Sequence, residues 1–217
     1  MSLGLAIEVG YLAEALEQDD ADWVEDFEST LAAVNRVLAG ERLPRHVEPR
    51  TAPALATRCS TTGFPYSTLH YLRRAYAHRV ADPGWTATAV SGGADPADDP
   101  EVEAQTEQFE SHLLCHSDCE GWYLPIDFPQ VVFASEDDDI PGGMLGSTQR
   151  LRAELALVAP ALGIALQADG ELSDAEAARL DGAVRDDHPL WRELLAWFAL
   201  WEAARLSLAS GCAIVFC

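Results

Sequence analysis

The segment Leu190–Ala209 places Leu190, Leu194, Trp197, Phe198, Trp201 and Leu208 on several sides of one helix, which Gly211 then stops. A helix that is apolar on several sides has to be wrapped by other elements or by lipid. Arg192, Glu193, Glu202 and Arg205 interrupt the apolar run, which argues against a membrane span. The remaining solution is a buried helix inside a water-soluble core. The chain has 217 residues, 48% of them hydrophobic, enough for one such core in one domain.

The N-terminal part offers helical partners. Leu5, Val9, Leu12 and Leu16 fall at helical spacing, and Asp19-Asp20-Ala21-Asp22 then breaks the helix and caps the next. Trp23, Phe27, Leu31, Val34 and Leu38 form a stripe that ends at Gly40. Residues 1–40 are therefore expected to form a helical hairpin, acids outside and aromatics in the core. Pro44, Pro49, Pro53 and Pro65 mark 41–65 as an extended connection, and its Arg42, Arg45, Arg50 and Arg58 are expected to pair with surrounding acids. The main body is 66–217. It opens with a helix over Tyr66–Val80, a mobile loop over 82–100 and renewed helix over Glu101–Leu114. Trp122–Phe128 and Gln130–Phe133 read as short strands. Gly146-Ser147-Thr148 caps a helix to Leu162, broken near Pro160, and Ser173 with Glu176 has capping-box spacing for another. After the buried helix, Ala213–Phe216 reads as a returning strand. The expected class is α+β: a mostly helical single domain with a small β-sheet near residues 122–133 and 213–216.

Reactive side chains concentrate in 112–128. His112, Cys115, His116 and Cys119 have zinc-ligand character, but four neighbours on one helical side cannot surround an ion. Cys115 or Cys119 with His116 and Asp118 has the residue types of a thiol triad, yet adjacent residues seldom face one another and acidic surroundings raise a thiol pKa. Asp118, Glu120 and Asp127 offer a carboxylate acid and base. No phosphate loop, dinucleotide glycine fingerprint or Gly-x-Ser-x-Gly elbow accompanies them. Tyr66, His70 and Arg73 share a helix face at i, i+4 and i+7, which can bind an anion or serve a polar cluster. A buried hydrogen-bonded turn around His116, Ser117, Asp118 and Glu120, partnered by Arg150 or by His70 and Arg73, accounts for the same residues without chemistry. No metal or cofactor is expected.

Charge narrows the partners. With 36 acidic and 14 basic residues the formal net charge is −22. Such a chain repels phosphate backbones and anionic membranes, so neither nucleic acid nor membrane is expected as a partner. A negative field attracts basic proteins, although it also serves solubility alone. Cys59, Cys115, Cys119, Cys212 and Cys217 are odd in number and scattered, and no signal-peptide pattern opens the chain, so a cytoplasmic location with free thiols is expected.

Tyr66–Arg74, Gly146–Leu151, Ser210–Phe216 and above all His116-Ser117-Asp118-Cys119-Glu120-Gly121-Trp122-Tyr123-Leu124-Pro125 resemble an uncharacterised family of small acidic bacterial proteins. The resemblance transfers no catalytic residue. In style, by analogy, such proteins are similar to immunity proteins that neutralise bacterial toxins. The resulting expectation is a non-enzymatic binding protein, an immunity-type inhibitor that occludes a basic protein partner, either a toxin domain or a nucleic-acid-directed enzyme. Its binding residues are expected to be His70, Arg73, His116, Asp118, Glu120, Trp122, Tyr123, Asp127 and Arg150. The alternative is an enzyme or small-ligand-binding protein that uses a His/Asp/Glu cluster at 116–127.

Overall fold

The computed structural model describes residues 4–186 and 188–217. Six strands among them form one mixed sheet: β1 (Gly4–Val9), β2 (Gly63–Pro65), β3 (Gly121–Leu124), β4 (Val132–Phe133), β5 (Met144–Ser147) and β6 (Ile214–Phe216). Their order is β2-β1-β6-β3-β5-β4, and every neighbouring pair is antiparallel except β3 with β5. Seven α-helices accompany them among the described residues: α1 (Tyr11–Glu17), α2 (Ala21–Gly40), α3 (Ser67–Ala81), α4 (Pro100–Thr106), α5 (Thr148–Val158), α6 (Asp174–Arg185) and α7 (Trp191–Ser210). The fold is α+β as expected, but β3 stops at Leu124 rather than Phe128, β4 holds only Val132 and Phe133, and β1, β2 and β5 join the sheet beside them and β6.

Strand residues alternate between two cores, because successive side chains point to opposite faces. Trp122, Leu124, Leu145 and Val215 join Phe27, Val34 and Leu38 of α2 on one side of the sheet. Leu5, Ile7, Tyr123, Ile214 and Phe216 join the helical layer of α3, α5, α6 and α7 on the other. All four residues of β3 are buried because both faces are covered.

The last helix is wrapped as its composition demands. α3, α5, α6 and strands β1 and β6 all pack on α7. Trp197 stacks on Trp201 at 4.8 Å and its indole N–H donates to the Leu155 carbonyl at 2.8 Å. A large apolar side chain buried in this way contributes about 1.5–3 kcal/mol. Glu202, fully buried on the same helix, accepts from the Arg58 backbone N–H and guanidinium and from Arg205.

The N-terminal segment departs from expectation. Leu5 and Val9 fit a helical period, but Leu5, Ile7 and Val9 also alternate at period two, and the sheet takes that option. β1 hydrogen-bonds to both β2 and β6, and Gly10 at φ 89° turns the chain into α1. The hairpin is thus α1–α2, with a strand where the first half of its opening helix was expected. Asp20 caps α2 by accepting from the Trp23 N–H at 3.1 Å. Helix also stops short at the other end of the loop region: α4 ends at Thr106, and Phe109 sits at φ 56° where helix was expected to run on to Leu114. Within 82–100, Trp85 stacks on His78 at 5.0 Å, the Ala87 N–H donates to the Ala161 carbonyl, and Asp99 meets Arg74 and His78.

Candidate functional site

The central stretch folds around one guanidinium. Arg73, buried on α3, donates to the Leu113 carbonyl at 3.0 Å, to the His116 carbonyl and to the Asp118 carboxylate. His70, one turn earlier, lies 3.2 Å from the other Asp118 oxygen. Partial burial alone would raise the Asp118 carboxyl, but the His70 hydrogen bond and the Arg73 charge hold it down to about 2. His116 stacks on Tyr123 at 4.1 Å and packs edge-on against Phe216. Its Nδ1 lies 3.0 Å from the Ser117 carbonyl, and burial lowers its pKa to about 4, so the ring is neutral. Gly121, at φ 125°, is held glycine because a Cβ there would come within 2.9 Å of the His116 ring.

The other expected site residues lie elsewhere. Tyr123 is buried and its hydroxyl donates to the His112 carbonyl at 2.8 Å. Trp122 points to the opposite core, 4.8 Å from Phe27. Arg150 and Asp127 face each other at 2.8 Å, an ion pair without hydrogen-bond alignment, apart from the Arg73 cluster. Glu120 is exposed and lines a groove beside α2. The sequence thus brings together His70, Arg73, His116 and Asp118, and disperses Glu120, Trp122, Asp127 and Arg150. Of the zinc-type residues, His112 accepts from the Ser147 N–H at 3.0 Å, while the His116 ring faces Tyr123. No group of three His, Cys, Asp or Glu side chains converges on a metal-sized point among the described residues.

A different surface carries the unneutralised charge. All 14 basic residues are arginines, and none occurs in 1–35 or 80–149; those two stretches hold 24 of the 36 carboxylates. Among the described residues nine of the arginines are tied to acids, including Arg58 and Arg205 on Glu202 and Arg152 on Glu171. The α1–α2 hairpin carries Glu14, Glu17, Asp19, Asp20, Asp22, Glu25, Asp26 and Glu28, of which only Glu28 meets an arginine, Arg50, among the described residues. Most of these side chains are exposed. The turn holding Asp138 and Asp139 lies across a groove of about 460 Å³ from Asp26, with Arg36 of α2 as the one basic residue among those lining it. A second groove, of about 620 Å³, runs along the hairpin between Asp19, Asp20, Glu25 and Glu28 over Leu16 and Val24. The field here is negative enough to register on neighbours. Burial, then Cys217, Glu8, Asp26 and Asp20, push the Tyr11 phenol up, and burial with Glu14 raises Glu8.

A protein-family model described as "Putative DNA-mimic protein" matches residues 3–216. The chain belongs to that family. No curated protein and no solved structure matches it.

Membership overturns the expected toxin inhibitor. The immunity-type function and the toxin-domain partner both fall, and so does the expectation that nucleic acid is irrelevant to the partner, since the family is described as a DNA mimic. An acidic family is what the resemblance implied, and to that extent it holds. No helix among the described residues is long and apolar enough to cross a membrane. The net charge of −22 is a single total and does not show that the acids of the hairpin stand without arginines beside them. The signal that finds it is where the arginines are missing.

Proposed function

We propose that this chain is a non-enzymatic DNA mimic that acts in the cytoplasm, where its acidic face occupies the DNA-binding cleft of a DNA-binding protein and keeps duplex DNA out. The observation that carries the reading is the segregation of charge: eight carboxylates between residues 14 and 28 with no basic residue among them. Duplex DNA presents one phosphate per ~3.4 Å along each strand. One turn of α2 separates Asp22 from Asp26 by about 6 Å along the axis, and α1 and the 137–139 turn add further rows beside it. A basic cleft that has evolved to neutralise closely spaced phosphates meets a comparable lattice of carboxylates here, fixed on helices rather than on a mobile tail.

The Arg73 cluster has a supporting role in this reading. It fastens the 112–120 loop to α3 and so fixes the start of β3, against which α2 packs. Its carboxylate, Asp118, is already neutralised and adds little to the negative face.

The test is affinity capture from the source cell's lysate on the immobilised chain, followed by elution with short duplex DNA. Recovery of DNA-binding proteins in the duplex eluate, and their absence on a chain with Asp22, Glu25 and Asp26 changed to Lys, supports the proposal. Retention of the same proteins by the charge-reversed chain contradicts it.

A further inference from the structure

Where the acidic face meets the sheet there is a groove of about 390 Å³ between α2 and the ends of β3 and β6. Its walls are aromatic and apolar: Tyr11, Trp23, Phe27 and Trp122 line it together with Val215 and Phe216. Tyr11 is stacked between Trp23 at 5.1 Å and Phe27 at 5.8 Å, so the rings form a continuous ladder from surface to core. Trp23 is 43% exposed at the outer end, an uncommon position for a tryptophan. Asp26 and Glu120 stand on the rim, and among the described residues neither has an arginine or histidine within ion-pair distance.

An apolar aromatic slot with two free carboxylates at its mouth has a specific complement. A long side chain with an aliphatic stem and a cationic head buries the stem along the rings and leaves the head between the carboxylates. Guanidinium fits better than ammonium, because it stacks on aromatic surfaces and donates in a planar fork to carboxylate oxygens. We propose that this groove receives an arginine side chain of the DNA-binding partner, held against the exposed Trp23 and by Asp26 and Glu120. This rests on the reading of the chain as a DNA mimic and adds a point of specificity that phosphates lack. Duplex backbone offers an arginine charge alone, whereas this groove offers charge and a ring, so the mimic outcompetes DNA at that arginine.

The groove contains its own reporters. Cys119 and Cys217 line it and are exposed, while Cys59 and Cys212 are buried elsewhere. The experiment follows iodoacetamide alkylation of each cysteine by peptide mapping, with acetyl-tetra-arginine amide or acetyl-tetra-lysine amide as the probe. Expected is slower alkylation of Cys119 and Cys217 with the arginine peptide, weaker protection with the lysine peptide, and no change at Cys59 or Cys212. Trp23→Ala and Glu120→Gln should each raise the peptide concentration needed by about tenfold. Asp186→Asn, a charge-matched change on the far side of the chain sequence, should leave it unaltered. Peptide that binds without protecting the two thiols, or protection indifferent to Trp23→Ala and Glu120→Gln, overturns the proposal. Capture of DNA-binding proteins, measured separately on the same variants, tells the two failures apart. If capture persists while protection fails, the groove assignment alone is wrong; if capture fails as well, the DNA-mimic reading falls with it.

Discussion

Arg73 and Asp118 form an ion pair that ties α3 to the loop before β3, with the same guanidinium also holding the backbone carbonyls of Leu113 and His116. Arg73 is buried, and its removal leaves two carbonyls without their donor and Asp118 with His70 alone. A buried charge pair broken on one side costs about 3–5 kcal/mol, and the partial exposure of Asp118 reduces this. Arg73→Ala is therefore predicted to destabilise the chain by about 2–3 kcal/mol in urea unfolding. The pH dependence has a definite sign. Asp118 has a folded pKa of about 2, below its ordinary value of 3.8, so its contribution is present above pH 4 and is lost as pH falls toward 2. Asp118→Asn should flatten the acid limb of the stability curve in that window.

Glu154 on α5 is predicted to act in the opposite sense. It accepts the backbone N–H groups of His112 and Leu113 at 2.8 and 2.7 Å, and burial raises its pKa to about 7 despite those bonds. A raised carboxyl binds a proton in the folded state that the unfolded chain releases near pH 4.5, so its contribution to stability declines as pH rises from 4.5 to 7. Glu154→Gln should remove that slope, seen as parallel unfolding midpoints at pH 5 and pH 7.5 where the parent differs. An unchanged slope would place the titration elsewhere.

Glu202 is the counter-ion of the α7 core. Burial would raise its carboxyl, but Arg205 and Arg58 lower it, so it is charged and doubly paired. Glu202→Gln keeps the shape and removes the charge, leaving Arg205 without its anion and Arg58 with the exposed Asp174 alone. The predicted cost is about 3 kcal/mol in unfolding free energy. Capture of DNA-binding proteins should be retained by whatever fraction remains folded, because Glu202 is on α7, whose core lies on the other face of the sheet from α2.

How far the sequence could be read depended on whether a residue's neighbours in space were also its neighbours in the chain. Trp197, Phe198 and Trp201 announce a helix buried on several sides because the cue lies within one segment. Ser173 as a cap needs only Glu176 three residues on, and its oxygen does accept that N–H at 3.1 Å. His70 and Arg73 were expected on one face, and both meet Asp118. The periods of Leu5–Val9 are degenerate, and the choice between helix and strand is made by β2 and β6, over 50 and 200 residues away. Trp122 and Tyr123 looked like surface aromatics beside carboxylates, but β3 is covered on both faces, which no local pattern reveals. The acidic face was legible in principle, since it depends on where arginine is absent, and total charge conceals that.

Charge reversal on the hairpin should separate binding from folding. Asp22, Glu25 and Asp26 are exposed, and relief of mutual repulsion offsets what little their replacement by Lys costs. Stability is predicted to stay within about 0.5 kcal/mol per site. Association with a captured DNA-binding protein should slow by about tenfold or more at low salt and lose much of its salt dependence.

The most direct measurement is a competition between this chain and duplex DNA for one purified DNA-binding protein. Fluorescently labelled duplex is bound to that protein, the chain is titrated in, and anisotropy is read while native mass spectrometry records the species present. The account predicts mutual exclusion: anisotropy falls to that of free duplex, the apparent affinity of the chain weakens in proportion to added duplex, and no complex contains all three. A ternary complex, or tight binding by the chain that leaves the duplex in place, would contradict it.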